Sequence, residues 1–376
     1  MSFSLLSHAY ADRLAAARAL HAQGHAVVGS WSHGVPVELL LATGYMPIAI
    51  APTTDRDMRF SRPFLLDTMA PQIDAALDQL VSGELDFLRL AIFASRGEED
   101  ALLYNAAKEV LRRGEGGRMP PLYLYVLMAE RQPASIDYGL DQTRRLARRL
   151  AAGSGIRATA EGIADAVALM NRVRAAGRRL LDLRGQGRVS GVEAMQAIGA
   201  GRFMAPADYV EALAGWTDSL ADAPVLDRPR LLVVGSESLS DLTLHSAIEA
   251  GGAIVVAEDD GWGSRAFSPD LVLEGDPIDA LFHHYHRYNP SRAVFPHDVR
   301  NAWIYEAAKA PGLAGVVFHM PPTDRVLGWD YPRLRDYCAG LGLPTLVLRD
   351  PASTGEGRGA ITRHISDFTA SLEARA

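Results

Sequence analysis

The sequence predicts an α/β protein of two doubly wound parallel-sheet lobes joined by a helical segment. Three observations predict it. Short apolar runs rich in Val, Ile and Tyr alternate with helix-period stretches up to about residue 150. The strand-like runs then vanish, and the same alternation resumes from Arg228. At 376 residues the chain is also longer than one ordinary core accommodates. Buried parallel strands read as short, nearly continuous apolar runs, and their alternation with helices means βαβ units.

In the first lobe, residues 1–150, the expected strands are His25–Ser30, Met46–Ala51, Leu88–Ala94 and Leu122–Val126. Each spans five to seven residues, the length of a buried strand. Between them Pro36–Thr43, Pro71–Leu80 and Glu99–Leu111 carry helical spacing. The linking region, 151–225, has only helical patterns: Thr143–Leu150 leads into it, followed by Thr159–Arg184 and Gly191–Gly201. Thr159 supplies a helix cap, but Gly162 stands where a capping box needs an acid. In the second lobe, 226–376, the strands are Leu231–Gly235, Ala253–Ala257, Gly315–His319 and Pro344–Leu348. The shared rhythm suggests two flavodoxin-like lobes of duplicated architecture, without a residue-level repeat. Ligands in such folds sit at the carboxyl ends of strands, so the cleft between lobes is the first place to seek a site.

Composition narrows the function classes. A net charge of −7 and a pI near 5.9 argue against nucleic-acid binding, while 48% apolar and 22% charged residues exclude a disordered chain. One cysteine, Cys338, excludes a disulfide framework and a thiolate-held cluster on this chain alone. No run approaches a membrane span and Met1–Tyr10 has no basic leader, so a cytoplasmic protein is expected.

Five tracts carry candidate chemistry. Gly29–Gly44 leaves a strand and enters a helix: Ser32, His33 and helix-start N–H groups can hold a polar ligand, and Glu38 is placed for proton transfer. Its plain reading is a helix start, with Pro36 in the first turn and Glu38 matching the dipole. The tail around Gly355, Gly357 and Ala360 fits a dinucleotide pattern only loosely; Arg358 and Arg363 there can meet phosphates, or the segment is a plain turn. His283–His286 reads as a hydrated helix face rather than a metal site, and Arg144, Arg145, Arg148 and Arg149 as a solvated or interface stripe. Asp259–Arg265, with Trp262 and Arg265, and His319–Pro332, with His319 and Asp324, follow strands directly, and loops of that make-up suit ligand contact.

In their order these tracts resemble the D-component subunits of the 2-hydroxyacyl-CoA dehydratase family, which includes the ATP-dependent benzoyl-CoA reductase subunits. Val35–Leu39 with Ala42, Gly44 and Pro47 resembles the family's amino-terminal signature, with Val37 in place of one Glu. Glu249–Arg265, Gly315–His319, Gly328–Pro332, Leu341–Leu346 and Thr362-Arg363 with Phe368 resemble second-lobe segments. The resemblance implies an acyl-CoA thioester bound between lobes and a cluster held on three cysteines. It also implies an ATP-dependent activator whose electron generates a ketyl radical.

This chain departs from that pattern at every cluster ligand. No cysteine stands at 62–69, none follows the third strand at Phe93–Arg96, and His319, Met320 and Pro321 occupy the third position. Serine, methionine and proline cannot replace thiolates on an iron–sulfur cluster. Cys338 is expected as a buried core thiol. The resulting expectation is a cluster-free subunit helping to form an acyl-CoA site. Glu38 and Ser32 are its catalytic candidates, and His33, Trp262, Arg265, His319, Asp324, Arg358 and Arg363 its binding candidates. Any 4Fe–4S cluster would belong to a homologous partner subunit; a self-dimer is the other arrangement. The alternatives are a structural or regulatory partner with a degenerate pocket, and a CoA-thioester enzyme without iron–sulfur chemistry.

Overall fold

The computed structural model describes residues 2–61, 63–65, 69–95, 97–115, 117–235, 242–291, 294–320, 324, 326–349 and 357–374. Two helices, α1 (Ser2–Ala11) and α2 (Arg13–Ala22), precede the first lobe. There β1 (Ala26–Trp31), α3 (Val37–Ala42), β2 (Tyr45–Ala49), α4 (Pro71–Val81), β3 (Leu90–Ser95), α5 (Glu98–Arg113) and β4 (Leu122–Val126) alternate. The four strands are all parallel, in the order β2-β1-β3-β4. Successive strand side chains face opposite ways, and both faces are covered. Val27, Ala91 and Phe93 pack with Leu77, Leu80 and Leu103 on one side. Val28, Leu90 and Ile92 pack with Leu39, Leu146 and Ile163 on the other.

Four helices follow: α6 (Pro133–Ser154), α7 (Ala160–Gly185), α8 (Gly191–Ala200) and α9 (Pro206–Leu220). The first begins ten residues before the expected Thr143, because Pro133 sits at its start, where a missing N–H is no loss. Thr159 caps α7 by accepting from the Gly162 N–H at 3.0 Å, and Ser190 forms a capping box with Glu193 on α8. Leu6 and Tyr10 of α1 join Leu180, Ile198, Tyr209 and Trp216 in one core of this helical unit.

The second lobe repeats the first. It contains β5 (Arg230–Gly235), α10 (Thr243–Ala250), β6 (Ile254–Glu258), a short 3-10 turn at Ser264–Ala266, α11 (Pro277–Arg287), α12 (His297–Ala307), β7 (Leu313–His319), α13 (Leu327–Gly340), β8 (Thr345–Leu348) and α14 (Gly357–Glu373). Its order, β6-β5-β7-β8, is the same topology, again all parallel. Two flavodoxin-like lobes are therefore present, as the strand rhythm predicts. The tract His319–Pro332, expected as a loop, is helical from Leu327, where α13 opens with Pro332 inside it. Asp324 makes it helical by accepting from the Val326 and Leu327 N–H groups at 2.9 and 2.6 Å. Cys338 lies buried on this helix.

Two features tie the lobes together. Residues 271–290 belong by sequence to the second lobe but cross to the first, where Leu271, Leu281 and Phe282 enter the core around Val28 and Tyr45. The 26-residue α7, roughly 39 Å long at the usual rise, touches both lobes. Near its end Arg184 donates to the Val255 carbonyl at 2.9 Å and to both oxygens of Glu258. Glu258 also accepts from the Ser264 N–H at 2.6 Å and the Ser264 hydroxyl at 2.9 Å, with His245 Nε2 at 3.2 Å. Burial alone would raise the Glu258 carboxyl, but Arg184 and His245 pull it well below the carboxylate range. No helix among the described residues is long and apolar enough to cross a membrane.

Truncating one partner of this buried pair strands the other charge. Arg184→Met and Glu258→Met should each cost roughly 3–5 kcal/mol, and the double variant clearly less than their sum. Urea unfolding of the three variants measures this; simple additivity would show that the pair is not coupled.

Candidate functional site

The cleft is built where strand order reverses. β1 lies between β2 and β3, and its carboxyl end runs into Ser32. Ser32 has φ +68°, a left-handed conformation that costs a non-glycine residue roughly 1–2 kcal/mol. The turn it makes carries Ser32 and His33 to the cleft before α3 begins at Val37. From the second lobe, β6 delivers the tract Asp259–Arg265 to the same place. Asp260 Oδ1 accepts from the Trp262 N–H at 2.9 Å and fixes the turn. The lobes meet closely here, since a Cβ on Gly261 would stand 2.8 Å from the His33 ring and 2.7 Å from Pro290. His33 and Trp262 pack edge to face at 5.0 Å.

These elements enclose a cavity of about 150 Å³. Its walls are partly apolar, with Ile48, Met170, Val173, Ile198 and Phe267. The helical unit adds Arg174, Arg202 and Tyr209, and the crossing segment adds His284, Tyr285, Tyr288 and Asn289.

One polar cluster in the wall is fully satisfied. Glu38 is 0% exposed, bonded through one oxygen to Arg174 and through the other to the Tyr285 hydroxyl at 2.8 Å. The same hydroxyl accepts from the Val37 N–H at 3.0 Å, so this helix-start donor is taken. Burial works against the Arg174 charge, but Glu38 more than offsets it and holds the guanidinium above its ordinary value. Burial, then the Glu38 charge, raises the Tyr285 hydroxyl strongly.

A second set of groups is left unsatisfied. Ser32 Oγ, Tyr209 OH, Trp262 Nε1 and Asn289 Nδ2 are buried atoms of cavity-lining residues with no hydrogen-bond partner among the described residues. Buried polar atoms are nearly always paired, so such a concentration in one cavity points to a ligand. His284 accepts from or donates to Ser268 Oγ at 2.9 Å, and burial, then Arg174, pushes its pKa down to about 4.

Of the sequence candidates, Ser32, His33, Trp262 and Arg265 come together around this cavity. Arg265 is held by Asp259 at 2.7 Å and by the Asn289 carbonyl at 3.3 Å. Glu38 stands behind the wall, turned toward Arg174 and Tyr285. His319 ends β7 and Asp324 serves the start of α13, and neither lines the cavity. Arg363 is exposed on α14; residues 350–356 and the Arg358 side chain lie outside the described residues. The His283–His286 stretch is not the hydrated face expected: His286 is buried against the Glu130 carbonyl at 3.1 Å, and His284 and Tyr285 line the cavity. The segment is covered because its apolar neighbours Leu281 and Phe282 anchor it on the first lobe. The arginine stripe is an interface in part, with Arg144 bridging to Asp279 of α11 at 2.6 Å. Arg174, Arg202, Tyr209, Tyr285 and Asn289 were missed, having no motif around them. The one usable signal was a polar cluster on an otherwise amphipathic α11.

The family model described as 2-hydroxyglutaryl-CoA dehydratase, D-component, matches residues 33–370. The chain belongs to this family. The match begins at His33, on the cavity, and ends in α14. A similar curated protein is the beta subunit of (R)-2-hydroxyglutaryl-CoA dehydratase from Acidaminococcus fermentans, 22% identical over 325 residues and covering 84% of each chain. The iron–sulfur cluster implied by the family resemblance needs thiolates. The cavity wall offers hydroxyl, imidazole, indole, amide and guanidinium groups, while Cys338 lies in the core of the second lobe with its thiol pushed up to about 11 by burial. This donor set does not fit a cluster.

Two predictions follow the electrostatics. His284 binds its proton less readily folded than unfolded, so between about pH 6.5 and about 4 the unfolded chain carries more protons and stability falls as pH falls. His284→Gln should flatten that slope in urea unfolding at a series of pH values; an unchanged slope would assign it to other groups. Glu38→Gln strands Arg174 and should cost about 3 kcal/mol, with Glu38→Gln/Arg174→Met recovering part of the loss in the same assay.

Proposed function

We propose that this chain is a cluster-free subunit of a 2-hydroxyacyl-CoA dehydratase-like assembly and that it helps form an acyl-CoA site between its lobes. The observation that carries the reading is the cavity between lobes with four unpaired buried polar atoms in its lining. The family membership and the similarity to a beta subunit support a partner, which in this reading is a homologous subunit that holds the cluster and receives an electron from an ATP-dependent activator. Within the site Ser32 touches the acyl group or its hydroxyl. His33 and Trp262 form the seam between lobes, and Arg265 holds the second-lobe wall through Asp259 and Asn289. Glu38 acts through Arg174 and Tyr285, as a positioning residue. His319, Asp324, Arg358 and Arg363 are left for the nucleotide end of CoA or for a partner.

A second reading, a structural or regulatory partner, is favoured by one observation: no Asp or Glu is among the cavity-lining residues, so proton transfer by a carboxylate has no candidate there. Calorimetry with a CoA thioester, on the isolated protein and on its complex with a co-purified cysteine-bearing homologue, separates the readings. Binding in either preparation is expected, with Ser32→Ala weakening it; absence of binding in both removes the acyl-CoA reading and leaves the partner. The protein purified anaerobically should be colourless and free of iron and sulfide, and a brown protein with near-stoichiometric iron would overturn the cluster-free assignment.

A further inference from the structure

The cavity holds one guanidinium with no hydrogen-bonded partner among the described residues. Three arginines line it. Arg174 is neutralised by Glu38 and Arg265 by Asp259. Arg202, just beyond the end of α8, makes no salt bridge and has no hydrogen-bond acceptor for its guanidinium among the described residues, although the buried Asp260 carboxylate acts on it at longer range. Its backbone is firmly placed, since its N–H donates to the Gly199 carbonyl at 3.0 Å and its own carbonyl accepts from the Ala49 N–H, also at 3.0 Å. Its guanidinium lies over the Trp262 ring, 5.2 Å from the centroid. Burial pushes Arg202 below its ordinary value; Tyr209, Tyr285 and the Asp260 carboxylate oppose that fall in part, and the Arg174 charge adds to it. A buried guanidinium whose N–H groups have no acceptor is costly, and a ligand that supplies acceptor oxygens recovers that cost.

The unpaired groups nearby have the matching chemistry. Trp262 Nε1 and Asn289 Nδ2 can only donate, and the hydroxyls of Ser32 and Tyr209 can donate. None is an obligate acceptor, so the ligand must bring acceptor oxygens. The planar guanidinium fork, left without an acceptor, matches a carboxylate in two parallel charge-assisted bonds. The apolar part of the wall, at Met170, Val173 and Phe267, suits a short hydrocarbon body. We propose that this cavity binds a small organic carboxylate, with its anionic group seated on Arg202 and its hydrocarbon body against the apolar wall. The proposal takes the same cavity as the acyl-CoA reading but needs no thioester, so each can fail without the other.

The test uses the full chain with butyrate and hexanoate as probes. Their neutral amides, phosphate, chloride and hexanoyl-CoA serve as comparisons, measured by calorimetry and thermal shift. The expected result is that hexanoate binds and raises the melting temperature, while hexanamide binds about tenfold more weakly or not at all. Arg202→Gln should lose that discrimination and keep the fold, since it breaks no salt bridge or hydrogen bond among the described residues and gives up the contact with the Trp262 ring. Tyr209→Phe, which removes one oxygen, should weaken hexanoate and leave the fold intact. Equal binding of hexanoate and hexanamide, hexanoate binding unchanged in Arg202→Gln, or binding of phosphate without hexanoate would each overturn the proposal. So would no carboxylate binding at all. Hexanoyl-CoA binding without hexanoate binding overturns the carboxylate seat alone, and the converse result overturns only the acyl-CoA reading.

Discussion

The placement of the two lobes depends on α7, which carries a buried arginine for each of them. Arg174 reaches Glu38 at the start of α3 in the first lobe, and Arg184 reaches Glu258 at the end of β6 in the second. Ten residues separate the two, about 15 Å along the axis. Buried ion pairs are poor sources of net stability, because desolvation consumes most of the Coulombic gain. Their consequence here is geometric. Either pair broken leaves a charge stranded in the interior, so the arrangement that satisfies both is strongly preferred over neighbouring ones. That arrangement sets how far apart the carboxyl ends of β1 and β6 stand, and hence the cleft.

Two kinds of polar environment follow from that frame. Around Glu258 every acceptor is used, by Arg184, Ser264 and His245, and around Glu38 the carboxylate is shared between Arg174 and Tyr285. Such networks rigidify, since any substitution leaves a partner exposed to low dielectric. Ser32, Tyr209, Trp262 and Asn289, a helix or a loop away, keep buried polar atoms unpaired among the described residues, and the Arg202 guanidinium lies over the Trp262 ring. The satisfied clusters hold the walls, and the unsatisfied set is what a ligand meets. The strained Ser32 backbone falls on that second set, where strain is compatible with function.

Much of the fold was legible because its signals are local. Val27-Val28, Ile92-Phe93 and Leu231–Val234 are continuous apolar runs, and a strand buried on both faces cannot read otherwise. Ser32, His33, Trp262 and Arg265 were legible because each follows a strand in a doubly wound sheet, where strand ends mark ligand positions. The helical contribution was not. Arg174 and Tyr209 sit within ordinary helices and Arg202 in the turn between α8 and α9, and Tyr285 reaches the first lobe only because the 271–290 segment crosses over. Crossing is a tertiary event with no local period. The same limit explains His319 and Asp324: one ends β7 and the other follows it, and the carboxyl end of that strand does not open on this cavity.

The unpaired groups also bear on whether the cavity is a relic. A pocket that has lost its ligand is under no constraint to keep donors buried, and each unsatisfied one costs the folded chain about 1–3 kcal/mol. Apolar side chains of similar volume would remove that cost, as they do elsewhere in this protein, where Leu180, Ile198 and Leu213 fill the helical core. Four such donors together with a guanidinium that has no acceptor among the described residues are a larger burden than structure alone explains. A donor-rich cavity in a chain whose single cysteine lies in the second-lobe core therefore suits a ligand that brings acceptor oxygens.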